Sequence, residues 1–538
     1  MDAFSMSYTS ASHRDLSRIY QDLKGVRSHS MFETAKSHLS KGNKMQDISA
    51  KYVTRNLGGS PHIGVVGAGL AGLRCADVLL KNGFRVTIIE GRNRVGGRVV
   101  QKKLPNGRLV DGGPNWIHGT EDNPIMDLAR ETDTKTGAWD TTSYAFDENG
   151  HLLPTAEGER YSTLMWEIIG DAFKFSNAHS AEIDASESLL DFFKREVEKR
   201  IPDSSADFEK QRYILLQMAE LWGAFIGSPI SRQSLKFFWL EECIEGENLF
   251  CAGTYQKILE LVAKPALAEA TIRYETIVSR VTTKDEASGT VKLSTSGGEV
   301  LEFDEVVFTA PLGWLKKHLD AFEPPLPTRL CNAVANISYG CLEKVYISFP
   351  RAFWLPTDAK ARSVHGFCQW LSPGYANETN PARWTQEVVE LASLPGDTAH
   401  PTLLFYTYGK ESEHITSTLD SLSGSKQKQE DFIFKFFEPY FSRLPHYDCG
   451  SDDCRPASFL ASSWLRDDLA GNGSYANFQV GLEKGDEDIR VMREGLPQRG
   501  LWLAGEHTAP FVALGTATGA YWSGENVAQR LAEAYGRE

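Results

Sequence analysis

From residue 61 onward, short runs of continuous apolar residues alternate with amphipathic stretches, and their spacing predicts the elements in order. The run 63–70, Ile-Gly-Val-Val-Gly-Ala-Gly-Leu, reads as a short buried strand followed by glycines. Over 71–82, Leu73, Ala76, Leu79 and Leu80 recur at helical spacing, and Gly83 stands where a helix C-cap would. Residues 84–90, Phe-Arg-Val-Thr-Ile-Ile-Glu, read as a second buried strand. Strand, helix and strand in such close succession predict a βαβ unit carrying a parallel sheet.

The middle of the chain has a different texture. Residues 155–245 are helical by spacing and rich in aromatics, among them Trp166, Phe173, Phe192, Trp222 and Trp239. A strand-like stretch follows at 271–283, and 289–311 reads as strands joined by Ser-Gly-Gly. Residues 342–350 and 500–508 read as further strands, and a helix is expected after Gly515. Buried strands at both ends with a helical and mixed region between them predict an α/β fold. Its first domain is discontinuous, with a second, α+β domain inserted. Residues 1–60 are polar and mildly basic, and read as a partly ordered arm hinged at Gly-Gly-Ser-Pro, 58–61.

Composition narrows the function. The 538 residues are 41% hydrophobic and 24% charged, ordinary for a soluble globular protein. A net charge of −14 argues against a nucleic-acid partner and suits a cationic substrate. The 8 cysteines form no C-x-x-C pair, and no histidine cluster has ligand spacing, so no metal is expected. The first residues lack the apolar core of a secretory signal, and no apolar run is long enough for a membrane span. The final Tyr-Gly-Arg-Glu does not match a Ser-Lys-Leu address, which leaves a cytoplasmic location as the expectation. Oligomeric state is not legible.

The chemistry begins at Gly67, Gly69 and Gly72, a G-x-G-x-x-G segment where strand turns into helix. Gly67 permits the tight turn, Gly69 lets a pyrophosphate approach the backbone, and Gly72 lets helix pack on strand. Glu90, at the end of the second strand, is placed to bond both ribose hydroxyls, and disfavours a 2′-phosphate. Directly after it, Gly-Arg-Asn-Arg-Val-Gly-Gly-Arg at 91–98 carries Arg92, Arg94, Gly96, Gly97 and Arg98. This second glycine turn offers more pyrophosphate donors than a nicotinamide enzyme needs.

The E-x-R-x-R-x-G-G-R arrangement resembles the flavin amine oxidase superfamily, and the resemblance runs through nearly everything after residue 60. It implies FAD. The segment 111–119, with Asn115 and Trp116, is similar to the loop that passes under the flavin. Residues 272–281 resemble the strand whose valine, here Val278, bonds the adenine. Trp464 resembles a tryptophan beside the isoalloxazine, and the C-terminal stretch implies Glu506 near the ribityl-pyrophosphate. Thr516 and Ala517 would open a helix toward the pyrimidine ring. The FAD-binding, Rossmann-like domain would comprise 61–140, 248–338 and 472–538, and the substrate-binding domain 141–247 and 339–471. No cysteine follows Cys454, so the flavin is expected to be noncovalent.

Within the family the chain looks most like the polyamine oxidases. Lys344 falls on the lysine that holds a water against flavin N5, and strand alternation puts Lys344 and Tyr346 on one face. His118 would contact the substrate nitrogen, and Tyr475 and Tyr521 would form the two aromatic walls around the amine. The implied partners are a small-molecule amine and O2. The cofactor motifs leave open a flavin desaturase of a specialised amine metabolite and an FAD-containing binding protein. A nicotinamide-dependent dehydrogenase would lack both the arginine-glycine turn and the C-terminal segment.

Overall fold

The first βαβ unit forms where apolar runs flank the glycines. Strand β1, His62–Val66, leads into helix α1, Leu70–Lys81, and strand β2, Arg85–Ile89, follows. Asn82 is the C-cap of α1, and Gly83, one residue later than the cap, takes the left-handed conformation at φ +73°. In α1 every residue from Leu70 to Leu79 except Arg74 is buried, because the helix lies against the sheet on one side and other elements on the other.

The computed structural model describes residues 59–139, 142–284, 289–356 and 361–537. The arm expected over 1–60 therefore falls outside the described residues except for its last two. Residues 59–529 form one compact unit. Five parallel strands make its first sheet, in the order Leu501–Leu503, Glu305–Phe308, β1, β2, Thr271–Arg273. The long returns between these strands are what place segments from both ends of the chain side by side.

The stretch 271–283 does not form one strand. Glu275 adopts φ +52°, and the chain breaks into Thr271–Arg273, in the parallel sheet, and Val278–Thr282, in a separate four-stranded sheet. That sheet is completed by Val291–Thr295, Val300–Phe303 and Phe322–Glu323. Likewise the expected strand at 500–508 ends at Leu503, and Glu506–Thr508 is a 3-10 turn.

A six-stranded sheet carries the rest. Its order is Ser458–Ala461, Glu343–Ser348, Thr402–Thr407, Gln386–Glu390, Phe367–Trp370 and Tyr144–Phe146. One face is dry: Val345, Ile347, Phe405, Val388 and Trp370 join one apolar cluster with Phe437 and Tyr440. Full burial of an aromatic such as Trp370, 0% exposed, contributes roughly 2–3 kcal/mol. The helices Thr155–His179, Leu189–Arg200 and Phe208–Ala219 build a second cluster from their apolar stripes, as the spacing predicts. No helix of the described residues is long and apolar enough to cross a membrane.

Candidate active site

The glycine turn is shaped by contacts that only hydrogen could make. Gly67 has φ +102°, and a Cβ on Gly72 would lie 1.9 Å from the Gly67 carbonyl oxygen. Helix α1 therefore starts pressed against the end of β1. A Cβ on Gly69 would meet nothing within 4 Å, so the helix N-terminus faces open space there. The second glycine turn closes on the first: Gly96 N donates to the Ala68 carbonyl at 2.7 Å, and a Gly97 Cβ would lie 3.4 Å from Gly69 Cα. Glu90 is buried, and its carboxylate accepts from Ala68 N and Arg92 N, each at 2.8 Å. Val278, in the four-stranded sheet, lies buried in the cluster that holds Val66 and Ile89.

The arginines are more engaged than their sequence suggests. Arg92 Nη2 donates to both oxygens of Asp467, at 2.8 and 2.9 Å, and Arg94 donates to the carbonyls of Val95 and Gly97. These bonds hold the loop in shape. Arg98 Nη1 reaches Glu506 at 3.0 Å and the Ser474 carbonyl at 2.6 Å, and burial of this group is outweighed by Tyr339 and Glu506, which raise its pKa. Glu506 is buried and also accepts from Ala476 N at 3.4 Å. The arginine turn and the C-terminal segment, some 400 residues apart, thus meet in one ion pair.

Thr516 Oγ1 accepts from Gly519 N at 2.9 Å, a capping bond at the start of the helix Ala517–Ala534. One residue inside, Thr518 donates to Asn123 Oδ1 at 2.9 Å, and Asn123 Nδ2 donates to the His118 carbonyl at 3.1 Å. The helix start and the His118 loop are thereby fixed to each other. His118 itself is half-buried, and burial lowers its pKa, so the neutral imidazole is favoured.

Segment 111–117 is held by side chains from the six-stranded sheet and from the 3-10 turn Trp464–Arg466 that follows it. Lys344 Nζ donates to the Gly113 carbonyl at 2.6 Å, and Trp464 Nε1 to the Gly112 carbonyl at 3.0 Å. The Tyr346 hydroxyl donates to the Asp111 carbonyl at 2.7 Å and accepts from Asn115 Nδ2 at 3.0 Å. Trp116 Nε1 donates to the Tyr406 hydroxyl at 3.1 Å, which in turn donates to Asn115 Oδ1 at 3.2 Å. Lys344 and Tyr346 share this face, while Val345 and Ile347 point into the dry cluster. Lys344 is only 7% exposed, and burial brings its pKa down to about 8, against the pull of Glu343 and Asp111. The same burial raises the carboxyls of Asp111 and Glu343 to about 7. Amine and carboxyls so matched can hold or pass a proton near neutral pH.

The expected pair of aromatic walls is not formed. The Tyr475 hydroxyl bonds the Phe225 carbonyl, and its ring lies beside Gly515 and within the cluster of Tyr406, Tyr346 and Trp116. Tyr521 lies elsewhere: the Arg74 guanidinium covers its ring at 4.8 Å from the centroid. The cause is helical phase. Three residues on, Gly524 sits against Ala71, where a Cβ would come within 2.1 Å of the Ala71 carbonyl oxygen, so that face of the C-terminal helix is committed to α1. Tyr406, not singled out in the sequence, is the ring that neighbours Tyr475 on the Lys344 face. It was hidden because it reaches the site by sheet register, not by a motif. Asn123 and Asp111 were missed for the same reason, being ordinary polar residues until their long-range partners are known.

Comparison with known proteins gives the same picture. The family described as flavin containing amine oxidoreductase matches residues 70–532. Probable polyamine oxidase 4 of Arabidopsis thaliana is 26% identical over 486 residues, covering 87% of this chain and 86% of its own. The human peroxisomal N(1)-acetyl-spermine/spermidine oxidase is 25% identical over 533 residues, covering 88% and 95%. A lysine-specific histone demethylase 1 homologue of Arabidopsis thaliana is 27% identical over 477 residues, but only 58% of its length is covered. A solved structure of a redesigned putrescine oxidase shares the fold, with a TM-score of 0.62 at 18% identity over 89% of this chain and 99% of that one. With a match spanning most of its length, and with its glycine turns, Arg98–Glu506 pair and Lys344 strand joined in one place, the chain belongs to the flavin containing amine oxidoreductases, enzymes that act on amine donors.

Proposed function

We propose that the chain is an FAD-dependent amine oxidase of polyamine-oxidase type, with the flavin held noncovalently. The residues present fit the cofactor. Open space lies before Gly69 at the start of α1, the Glu90 carboxylate stands at the end of β2, and Arg98, which bonds through Nη1 alone among the described residues, keeps Nε and Nη2 for a further acceptor. His507 supports this: its ring is buried, and both nitrogens lack partners among the described residues. The segments 61–140, 248–338 and 472–538 would form the FAD-binding part, and 141–247 and 339–471 the substrate-binding part.

A bound FAD would supply the two-electron acceptor for the amine α-carbon's hydride and the route of those electrons to O2, so that the products would be hydrogen peroxide and an imine that water hydrolyses to an aldehyde or ketone. The protein's share is positioning, desolvation and proton control. Tyr475, with Tyr406 and Trp116, holds the amine by its aromatic faces. His118, kept neutral by burial, orients the substrate nitrogen. Lys344 holds the water that hydrolysis or reoxidation needs. The observation that carries this reading is the buried Lys344 amine bonded to the Gly113 carbonyl, since burial of such a group is costly without a task.

Only a neutral amine has the lone pair that drives hydride loss, so the rate of reduction rises with pH through the bound amine's pKa. The test is an anaerobic titration of the yellow holoprotein with monoamines, diamines and polyamines. Bleaching of the flavin by an amine, with peroxide released on admitting O2, is expected. A protein that stays yellow with every amine refutes the proposal.

A further inference from the structure

Against Tyr346, which shares the Lys344 face, lies a cavity of about 10 Å³. Asp111, Asn115, Tyr346 and Thr254 bring polar groups to its lining, and His400 and Leu109 contribute as well. Asp111 is 2% exposed and Leu109 is 43% exposed, so the lining runs from a buried carboxyl to a residue at the surface. One water centre needs roughly 10–15 Å³ and two to four polar partners, which this space provides.

Asp111 has room for another partner. Its carboxylate accepts from Gln101 Nε2 at 2.8 Å and from Tyr255 N at 3.1 and 3.2 Å, while a carboxylate offers about four acceptor sites. The Tyr255 bond anchors the start of helix Gln256–Glu269, a task that an asparagine oxygen would serve equally. Among the described residues, Lys344 is the one ionic group that acts on Asp111. Cys251, Tyr255 and Tyr346, on which Asp111 acts in turn, are held neutral by burial. Glu343, the other carboxyl beside Lys344, is committed to the Ser462 hydroxyl and Leu465 N, and lies outside this lining. At the outer side, His400 Nδ1 bonds with Thr402 Oγ1 at 2.8 Å, and Nε2 has no partner among the described residues. Burial and the nearby Arg108 bring the His400 pKa down to about 4, so its imidazole is neutral and can bond a water.

We infer that the cavity holds one water joining Asp111 to the His400 side, and that Asp111 returns to Lys344 the proton that each turnover takes from it. This rests on the amine oxidase reading above and deepens the part played there by Lys344. The balance requires such a supply. A hydride carries two electrons and one proton, whereas O2 takes up two electrons and two protons to leave as hydrogen peroxide. One proton per turnover must therefore enter from outside. Lys344 gives it up, Asp111 replaces it, and the cavity water recharges Asp111 from the surface; no electron moves along this route. Asp111 acts through Lys344 and is a positioning residue for the proton.

The experiment follows reoxidation by O2 of photoreduced holoprotein, in stopped flow across neutral pH, for wild type, Asp111→Asn and His400→Leu. Burial raises the Asp111 carboxyl to about 7, so the wild-type rate should be highest below pH 7 and fall above it. Asp111→Asn should reoxidise about tenfold or more slowly at low pH and lose that fall. His400→Leu, which removes the bonding group at the outer side, should slow reoxidation while keeping the fall, and serves if the asparagine variant does not fold. Infrared spectra should show a carboxylic C=O band that fades through about pH 7 in wild type and His400→Leu, and is missing in Asp111→Asn. An unchanged rate in both variants, or slowing in Asp111→Asn with the wild-type pH profile, overturns the inference. Photoreduction needs no amine, so the two readings fail separately. A flavin that no amine reduces defeats the amine oxidase reading, and amine reduction with an unmoved reoxidation profile defeats the Asp111 assignment alone.

Discussion

Replacing Lys344 by methionine exchanges a buried amine for an apolar side chain of similar length, and the structure gives the size of the effect on stability. Burial lowers the lysine from an ordinary value near 10.5 to about 8, which corresponds to roughly 3 kcal/mol against the charged form in the folded state. Below pH 8 both folded and unfolded chains carry the proton, and the folded chain bears that full cost. Between pH 8 and 10.5 the unfolded chain binds more protons than the folded one, so the lysine's contribution becomes less unfavourable as pH rises. Methionine removes the cost but leaves the Gly113 carbonyl without its donor, a loss of about 1–3 kcal/mol. The Lys344→Met protein should therefore be as stable as the wild type at pH 7, or up to about 2 kcal/mol more so. Its advantage should shrink between pH 8 and 10.5. Denaturant unfolding of both holoproteins at pH 7, 8, 9 and 10 measures this. Stopped-flow traces of the same samples should show slowed reoxidation or product formation. A variant several kcal/mol less stable at pH 7, with an unchanged pH slope, would refute the electrostatic argument. Intact rates in both half-reactions would remove Lys344 from the chemistry.

Two further substitutions separate fold from cofactor in the glycine turn. Gly69→Ala, which meets no protein atom within 4 Å, should fold normally yet purify with less flavin, read from the absorbance ratio of flavin to protein. Gly72→Ala, whose Cβ would lie 1.9 Å from a backbone oxygen, should lose several kcal/mol or fail to accumulate in soluble form; equal flavin content and Tm in both variants would contradict the geometry. Tyr475→Ala should raise the amine KM about tenfold or more by removing a cation–π face. Tyr521→Phe should leave KM unchanged, because its ring lies beneath Arg74. Stability and steady-state kinetics of both tyrosine variants check this pair.

The parts of the fold legible in the sequence are those set by local pattern. β1, α1 and β2 follow from apolar runs around glycines, and the structure places each within a residue or two of expectation. The break at Glu275 was not legible, since a β-rich run with no glycine or proline gave no sign that one residue would take a left-handed conformation. In the site, Lys344 and its facing partner Tyr346 followed from alternation along one strand. Tyr406 did not, because its place opposite Lys344 depends on antiparallel register with a strand more than 50 residues earlier in the chain, and one residue of slip would turn every side chain over. Tyr521 was misread for a different reason. Helical phase outweighs motif position there, and Gly524 on the same face marks that face for close packing.

The order of strands in the parallel sheet also sets a timetable for synthesis. Strand Leu501–Leu503 lies next to Glu305–Phe308, which lies next to β1, so the sheet begun near residue 62 is finished only when residues 501–503 have been made. Arg98 waits equally long for Glu506, and α1 for Gly524. At ordinary elongation speeds the interval is on the order of 20 to 90 s. Throughout it, a nascent chain holds its glycine turn without the other half of the pocket. Flavin capture in the cell therefore has to follow that interval, and the edge of the growing sheet is a surface that chaperones have time to meet.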